Sequence, residues 1–128
     1  MLIASQILAL LAALLHVYIF LLESLWWTRP GTRKVFGTTA EEAQMTRTLA
    51  FNQGFYNLFL AIAVFSGLGF QLAGQPVIGS TLLITGLASM ALAATVLIIS
   101  SPDKAPAAVK QGALPLLGLA ALVLHLAA

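Results

Sequence analysis

Apolar residues in this chain gather into four blocks, at residues 2–24, 48–70, 77–99 and 110–127, with the polar residues collected between them. Each block is close to the roughly 20 residues that carry an α-helix across about 30 Å of hydrocarbon. The breaks have the chemistry of helix ends. Thr28, Arg29, Pro30 and Gly31 follow the first block, Gly74, Gln75 and Pro76 the second, and Ser101, Pro102, Asp103, Lys104, Ala105 and Pro106 the third. Trp26 and Trp27, at the first break, carry amphipathic rings suited to the headgroup level. The pattern predicts an all-α integral membrane four-helix bundle, a single transmembrane domain over residues 1–128. Its one long connection is 25–47, where Phe36, Thr39, Glu41 and Glu42 suggest a short amphipathic segment along the membrane surface. Pro115, in the first half of the fourth block, predicts a local kink and an upstream carbonyl without its usual donor.

Composition changes the picture only by confirming the solvent. With 60% hydrophobic and 8% charged residues, the chain has too little polar surface to cover a water-soluble globule. It has no cysteine, which removes disulfides and thiolate chemistry and leaves redox compartment unread. The first block lacks a basic start and a small-residue cleavage site, so it reads as a retained helix and not a signal peptide.

Charge sets orientation. Arg29, Arg33, Lys34 and Arg47 lie in the first connection, Lys104 in the third and Lys110 at its edge, while the second connection and both termini carry no basic side chain. In any four-span topology the first and third connections share a side, and the positive-inside rule makes that side cytoplasmic and both termini non-cytoplasmic. Topology thus accounts for the formal charge of +2, and nucleic-acid binding has no support. Thr85, Ser89 and Ala93 at four-residue spacing, with Gly79 and Gly86 a heptad apart, offer close helix packing on span three. That surface serves either the bundle interior or a homo-oligomer interface.

The informative residues are the polar ones inside the blocks, because ionisable and amide side chains in lipid face the bundle interior or a wet cavity and need partners. His16, Phe20, Glu23 and Trp27 follow a three-and-four spacing along one face of span one. Span two opens with Arg47, and Asn52, Gln53, Tyr56 and Asn57 fill an arc of about 140° at 100° per residue. Counting about 1.5 Å per residue from the cytoplasmic boundary puts His16 and Tyr56 each about 12 Å inside, with Glu23, Asn52 and Gln111 nearer the interface. A single cytoplasmic-side cavity lined by these side chains is the expectation, sized for a polar headgroup with an apolar tail. Each member also has a plainer role: Glu23 as a partner of Arg47 or another base, the amides as interhelical hydrogen bonds, His16 as a strut, His125 as an interface anchor. His16 and Glu23 stand about 10.5 Å apart along the helix axis, too far for a direct hydrogen bond, and no metal site is expected.

The two blocks His16-Val-Tyr-Ile-Phe-Leu-Leu-Glu23-Ser-Leu-Trp26 and Asn52-Gln53-Gly54-Phe55-Tyr56-Asn57-Leu-Phe-Leu60-Ala61 resemble a family of small four-span bacterial membrane proteins, the domain of unknown function thirteen-oh-four. The resemblance covers nearly the whole chain. It implies a multi-pass protein of the bacterial inner membrane, with the polar stripe as its signature region, and it supplies no activity and no cofactor. Where the family pattern leads one to expect Met after the glutamate, this chain has Ser24, which implies softer packing there. Three functions fit the residues. The first is binding of a small amphipathic or lipophilic molecule by His16, Glu23, Trp27, Arg47, Asn52, Gln53, Tyr56, Asn57 and Gln111. The second is a membrane-embedded enzyme. By analogy of architecture it is either an acid–base isomerase using His16, Glu23 and Tyr56, or a glutathione-dependent enzyme leaning on Arg47 and Asn52. The third is transport of a small solute through an oligomer, for which the external half offers little beyond Ser66, Thr81 and Thr85.

Overall fold

The computed structural model describes residues 1–128 and contains helices and turns but no strand. Helix α1 (Leu2–Phe20) continues through a π-helical turn at Leu21–Leu25; two short helices follow, α2 (Pro30–Phe36) and α3 (Ala40–Met45). Then come α4 (Arg47–Leu72), α5 (Pro76–Ser100), a 3₁₀ turn at Pro102–Lys104 and α6 (Ala105–Ala127). The four long segments contain 24, 26, 25 and 26 residues and are apolar enough to cross a membrane.

These segments form a ring in the order α1, α4, α5, α6 and back to α1, with α1 and α5 barely touching across the diagonal. Short connections force α4 against α5 and α5 against α6, so every neighbour in the ring is antiparallel. One end of the bundle therefore holds both chain termini and the 73–75 turn. The other, here called the basic end, holds α2, α3 and the 3₁₀ turn.

Small side chains bring the helices together. Ser5, Ala9, Ala12, Ala13 and His16 form the buried face of α1, and they join Ala61, Val64, Leu83, Leu87, Met90 and Leu122 in the centre. A Cβ on Gly118 of α6 would stand 3.3 Å from Leu8 Cβ and 3.4 Å from the Ala9 nitrogen. Across α4 and α5, Gly67 and Gly79 nearly touch backbone to backbone, and Gly86 receives Val64. In lipid there is no apolar surface to hide from water, so this close van der Waals contact is what favours association. The span-three glycines thus serve the interior, whereas Thr85 faces outward and its hydroxyl bonds back to the Thr81 carbonyl at 2.8 Å. Outward-facing Leu11, Leu14, Phe59, Leu92, Leu117 and Leu124 present the lipid surface.

Two local expectations need correcting, the start of the fourth helix and the form of the long connection. The fourth helix starts at Ala105, about a turn before residue 110, because Pro106 sits in its first turn, where the missing N–H has no partner to lose. It then runs on through a buried Pro115, which leaves the Gln111 carbonyl without its intrahelical donor. The long connection is two helices and not one amphipathic segment. Gly37, at φ 66°, ends α2 in the left-handed region that favours glycine, and Thr39 starts α3 with a capping box. In that box the Glu42 N–H donates to Thr39 Oγ1 (3.1 Å) and the Thr39 N–H to Glu42 Oε2 (2.8 Å).

Candidate functional site

The π-turn at the end of α1 is closed by the Trp26 N–H on the Leu21 carbonyl at 3.0 Å, one residue more than an α-turn holds. Gly54 of α4 packs directly on this turn. A Cβ there would stand 3.0 Å from the Ser24 nitrogen and 3.1 Å from the Phe20 carbonyl oxygen, and would collide with Ser24 Oγ. Ser24 Oγ in turn donates to the Phe51 carbonyl at 2.8 Å. Packing at Ser24 is therefore tight, not softened, and it fixes the register of α1 against α4.

That register brings together two polar side chains. Glu23 and Asn57 are each 8% exposed, and Asn57 Nδ2 donates to Glu23 Oε2 at 2.9 Å and to the Gln53 carbonyl at 3.2 Å. Glu23 makes no ion pair; the single salt bridge of the structure joins Lys104 to Asp103 at 3.9 Å. Glu23 Oε1 takes part in no hydrogen bond, and Glu23 lines a cavity of about 800 Å³ at the basic end.

All four long segments contribute to the cavity wall: Glu23 and Trp27 from the end of span one, Gln53 and Asn57 from α4, Ala93, Val96 and Leu97 from α5, Ala107 and Gln111 from α6. The connections close the outer rim with Phe36, Thr38, Glu42, Thr46, Ser100, Ser101, Asp103 and Lys104. Hydrogen bonds hold that rim. Trp27 Nε1 donates to Thr46 Oγ1 (3.1 Å), whose hydroxyl donates to the Glu42 carbonyl (2.7 Å). Lys104 Nζ donates to the carbonyls of Phe36 (2.7 Å) and Gly37 (3.2 Å), tying the 3₁₀ turn to the end of α2, where a cation suits the exposed carbonyls. The Trp27 and Phe36 rings meet at 5.1 Å between centroids, tilted by 55°.

The family model described as "Protein of unknown function (DUF1304)" matches residues 10–123. The chain belongs to that family. No curated protein and no solved structure matches it. The matched stretch of this DUF1304 chain includes every residue of the cavity wall, from Glu23 to Gln111.

Of the residues singled out in the sequence, Glu23, Trp27, Gln53, Asn57 and Gln111 share this cavity. Four do not. His16 is 1% exposed within the bundle, its Nδ1 paired with the Ala12 carbonyl at 2.8 Å, as a strut. Tyr56 is 64% exposed on the outer face of α4, where a phenol suits the membrane interface. Asn52 is also exposed and donates to the Thr48 carbonyl at 3.1 Å, and Arg47 is exposed at the first turn of α4. An arc of about 140° on a helix is wide enough to cover both an inward and an outward face. Asn57 is buried on the inward side of it, Gln53 is exposed but lines the cavity, and Asn52 and Tyr56 take the outward side. An acid–base relay through His16 and Tyr56 is consequently not assembled around the cavity. The rim residues Thr38, Glu42, Thr46, Asp103 and Lys104 were missed as site residues. The signal for them was topological, since the first and third connections share one end of any four-span bundle.

Proposed function

We propose that this protein binds a small amphipathic molecule in the basic-end cavity. Glu23, Gln53, Asn57 and Gln111 hold its headgroup, and its apolar part lies along Ala93, Val96 and Leu97. The observation that carries this reading is the buried Glu23–Asn57 pair on the wall of an 800 Å³ cavity, with one carboxyl oxygen free of hydrogen bonds. Small-molecule sites fall at about 300–1,000 Å³ and combine an apolar wall with a few convergent polar groups.

The direction of access supports a binding site over a channel. Between the cavity and the terminal end, Ala9, Ala12, Ala61, Val64, Leu83, Leu87 and Leu122 are all 0% exposed, which leaves no polar path through a single bundle. By the positive-inside rule the basic end faces the cytoplasm, so the site opens toward the cytoplasmic leaflet of a bacterial inner membrane.

Native mass spectrometry of the protein released from membranes, with identification of extracted small molecules, tests the reading. A specific molecule retained by wild type and lost in Asn57→Leu and Glu23→Gln is the expected result. An unchanged lipid profile across the three proteins assigns the pair to helix packing and removes the proposal.

A further inference from the structure

The charge around the cavity points to a ligand class. Three of the chain's four acidic residues line it, Glu23 on the wall and Glu42 and Asp103 on the rim, against one of the six basic residues, Lys104, also on the rim. This is the reverse of the chain as a whole, whose formal charge is +2. Lys104 is also already engaged: its ammonium is held by the Phe36 and Gly37 carbonyls at 2.7 and 3.2 Å, with Asp103 at 3.9 Å. It is poorly placed to receive an anionic headgroup. Glu23 is the opposite case, 8% exposed, on the cavity wall and bonded through Oε2 alone, which leaves Oε1 open to a partner.

From the juxtaposition of the open Glu23 oxygen, the engaged Lys104 and the Trp27–Phe36 aromatic corner, we infer that the cavity takes a cationic amphiphile, an amine or quaternary ammonium on an apolar chain. This inference rests on the binding reading above. A cation within about 6 Å of an aromatic centroid is attracted to the ring face, and Trp27 on the wall and Phe36 on the rim offer two rings at an angle in the lining that includes Glu23. Such a headgroup supplies the positive partner that no side chain of the protein gives to Glu23. An anionic headgroup would meet Glu23 on the wall and find no unengaged basic side chain among the lining residues. A neutral one would bring Glu23 no charged partner, which the protein itself does not supply.

The test uses the full chain in nanodiscs of zwitterionic lipid and three probes of equal chain length, decyltrimethylammonium, decanol and decanoate, titrated calorimetrically below their micellar concentrations with empty nanodiscs subtracted. Decyltrimethylammonium is expected to bind saturably and at least about tenfold tighter than the other two, a difference of about 1.4 kcal/mol. Glu23→Gln, which keeps the shape of the side chain, is expected to abolish most of that preference. Trp27→Leu, which leaves the Glu23–Asn57 pair in place, should weaken the cation severalfold and leave decanol unchanged. It carries the test if Glu23→Gln does not fold. Saturable binding of decanol or decanoate equal to or tighter than the cation overturns the ligand class and leaves the binding site standing. Saturable binding of none of the three overturns both readings. A cation preference that survives in both variants overturns the assignment to this wall.

Discussion

Where α4 meets α5 near the terminal end, backbone touches backbone: a Cβ on Gly79 would stand 2.7 Å from the Gly67 carbonyl oxygen and 2.8 Å from the Gln71 nitrogen. At the basic end the same two helices stand on either side of an 800 Å³ cavity, with Gln53 and Asn57 on one and Ala93, Val96 and Leu97 on the other. Side-chain volume and polarity separate these regions. Glycine and alanine let the helices close, and dispersion between close backbones holds them. At the other end Gly54 seats on the turn at Ser24 and Asn57 bonds Glu23, which join span one to α4, while polar side chains line the space beside α4 and α5. A bundle joined tightly at one end can support a cavity at the other without a soluble domain to brace it.

The sharpest way to break this contrast is to thicken the tight contact. Gly79→Val inserts atoms against backbone that cannot rotate aside, and it is expected to lower unfolding stability by about 3 kcal/mol, measured by denaturant titration in detergent. Gly69 is the control: a Cβ there meets nothing within 4 Å, so Gly69→Ala is expected to hold or raise stability, by up to about 1 kcal/mol from helix propensity. Equal losses at the two sites would show that the contact between Gly67 and Gly79 is not what closes this end.

The open end is probed by its buried pair. Asn57→Leu removes the donor on Glu23 Oε2 and strands a carboxyl group that is 8% exposed, for an expected loss of about 2 kcal/mol. The double variant Glu23→Leu/Asn57→Leu replaces both polar partners with apolar volume and should recover most of that loss, since a buried polar pair is often no more stable than an apolar one. Recovery in the double variant together with loss of the bound molecule would separate stability from function. A double variant no more stable than Asn57→Leu would mean that the pair organises the bundle instead of serving a ligand.

What the sequence could reveal of this contrast follows from which signals are local. The four spans were legible because hydropathy and length act within one helix. Glu23 and Asn57 stood out because each is a polar side chain in an apolar run. Their pairing was not legible, because the register between α1 and α4 depends on a π-turn at Leu21–Leu25 and on the seating of Gly54 against Ser24, neither of which a periodicity reveals. The outward turn of Asn52 and Tyr56 was hidden for a related reason: polar character alone does not say which side of a broad arc faces inward. Glu42, Asp103 and Lys104 were read as loop and topology residues, yet folding brings them to a single rim.

A smaller effect is expected from the hydrogen-bond chain that supplements the glycine contacts. Gln6 Nε2 donates to Gln71 Oε1 at 3.0 Å, and Gln71 Nε2 donates to Ser80 Oγ at 3.2 Å, linking α1, α4 and α5 near the terminal end. Interhelical hydrogen bonds in lipid are worth about 0.6 kcal/mol each, so Gln71→Leu should lower stability by about 1 kcal/mol in the same titration. A loss as large as that of Gly79→Val would mean that directed bonds hold both ends alike, and the contrast would fail.

Lys104→Met should give the smallest global effect and the most local one. The lysine joins the turn before α6 to the end of α2 through two carbonyls, and the residues it joins lie outside the four-helix core. Partly exposed ionic contacts of this kind contribute about 0–1 kcal/mol, so unfolding of the whole bundle should move by less than about 0.5 kcal/mol, within the range of ordinary surface substitutions. The amides of residues 34–39 should nevertheless exchange with deuterium about fivefold faster, the change expected when local opening becomes easier by about 1 kcal/mol. Exchange in α4 and α5 should stay as it was. If all helices exchanged faster together, the rim would be part of the cooperative core, and the cavity would be braced from outside as firmly as the glycines brace the far end from within.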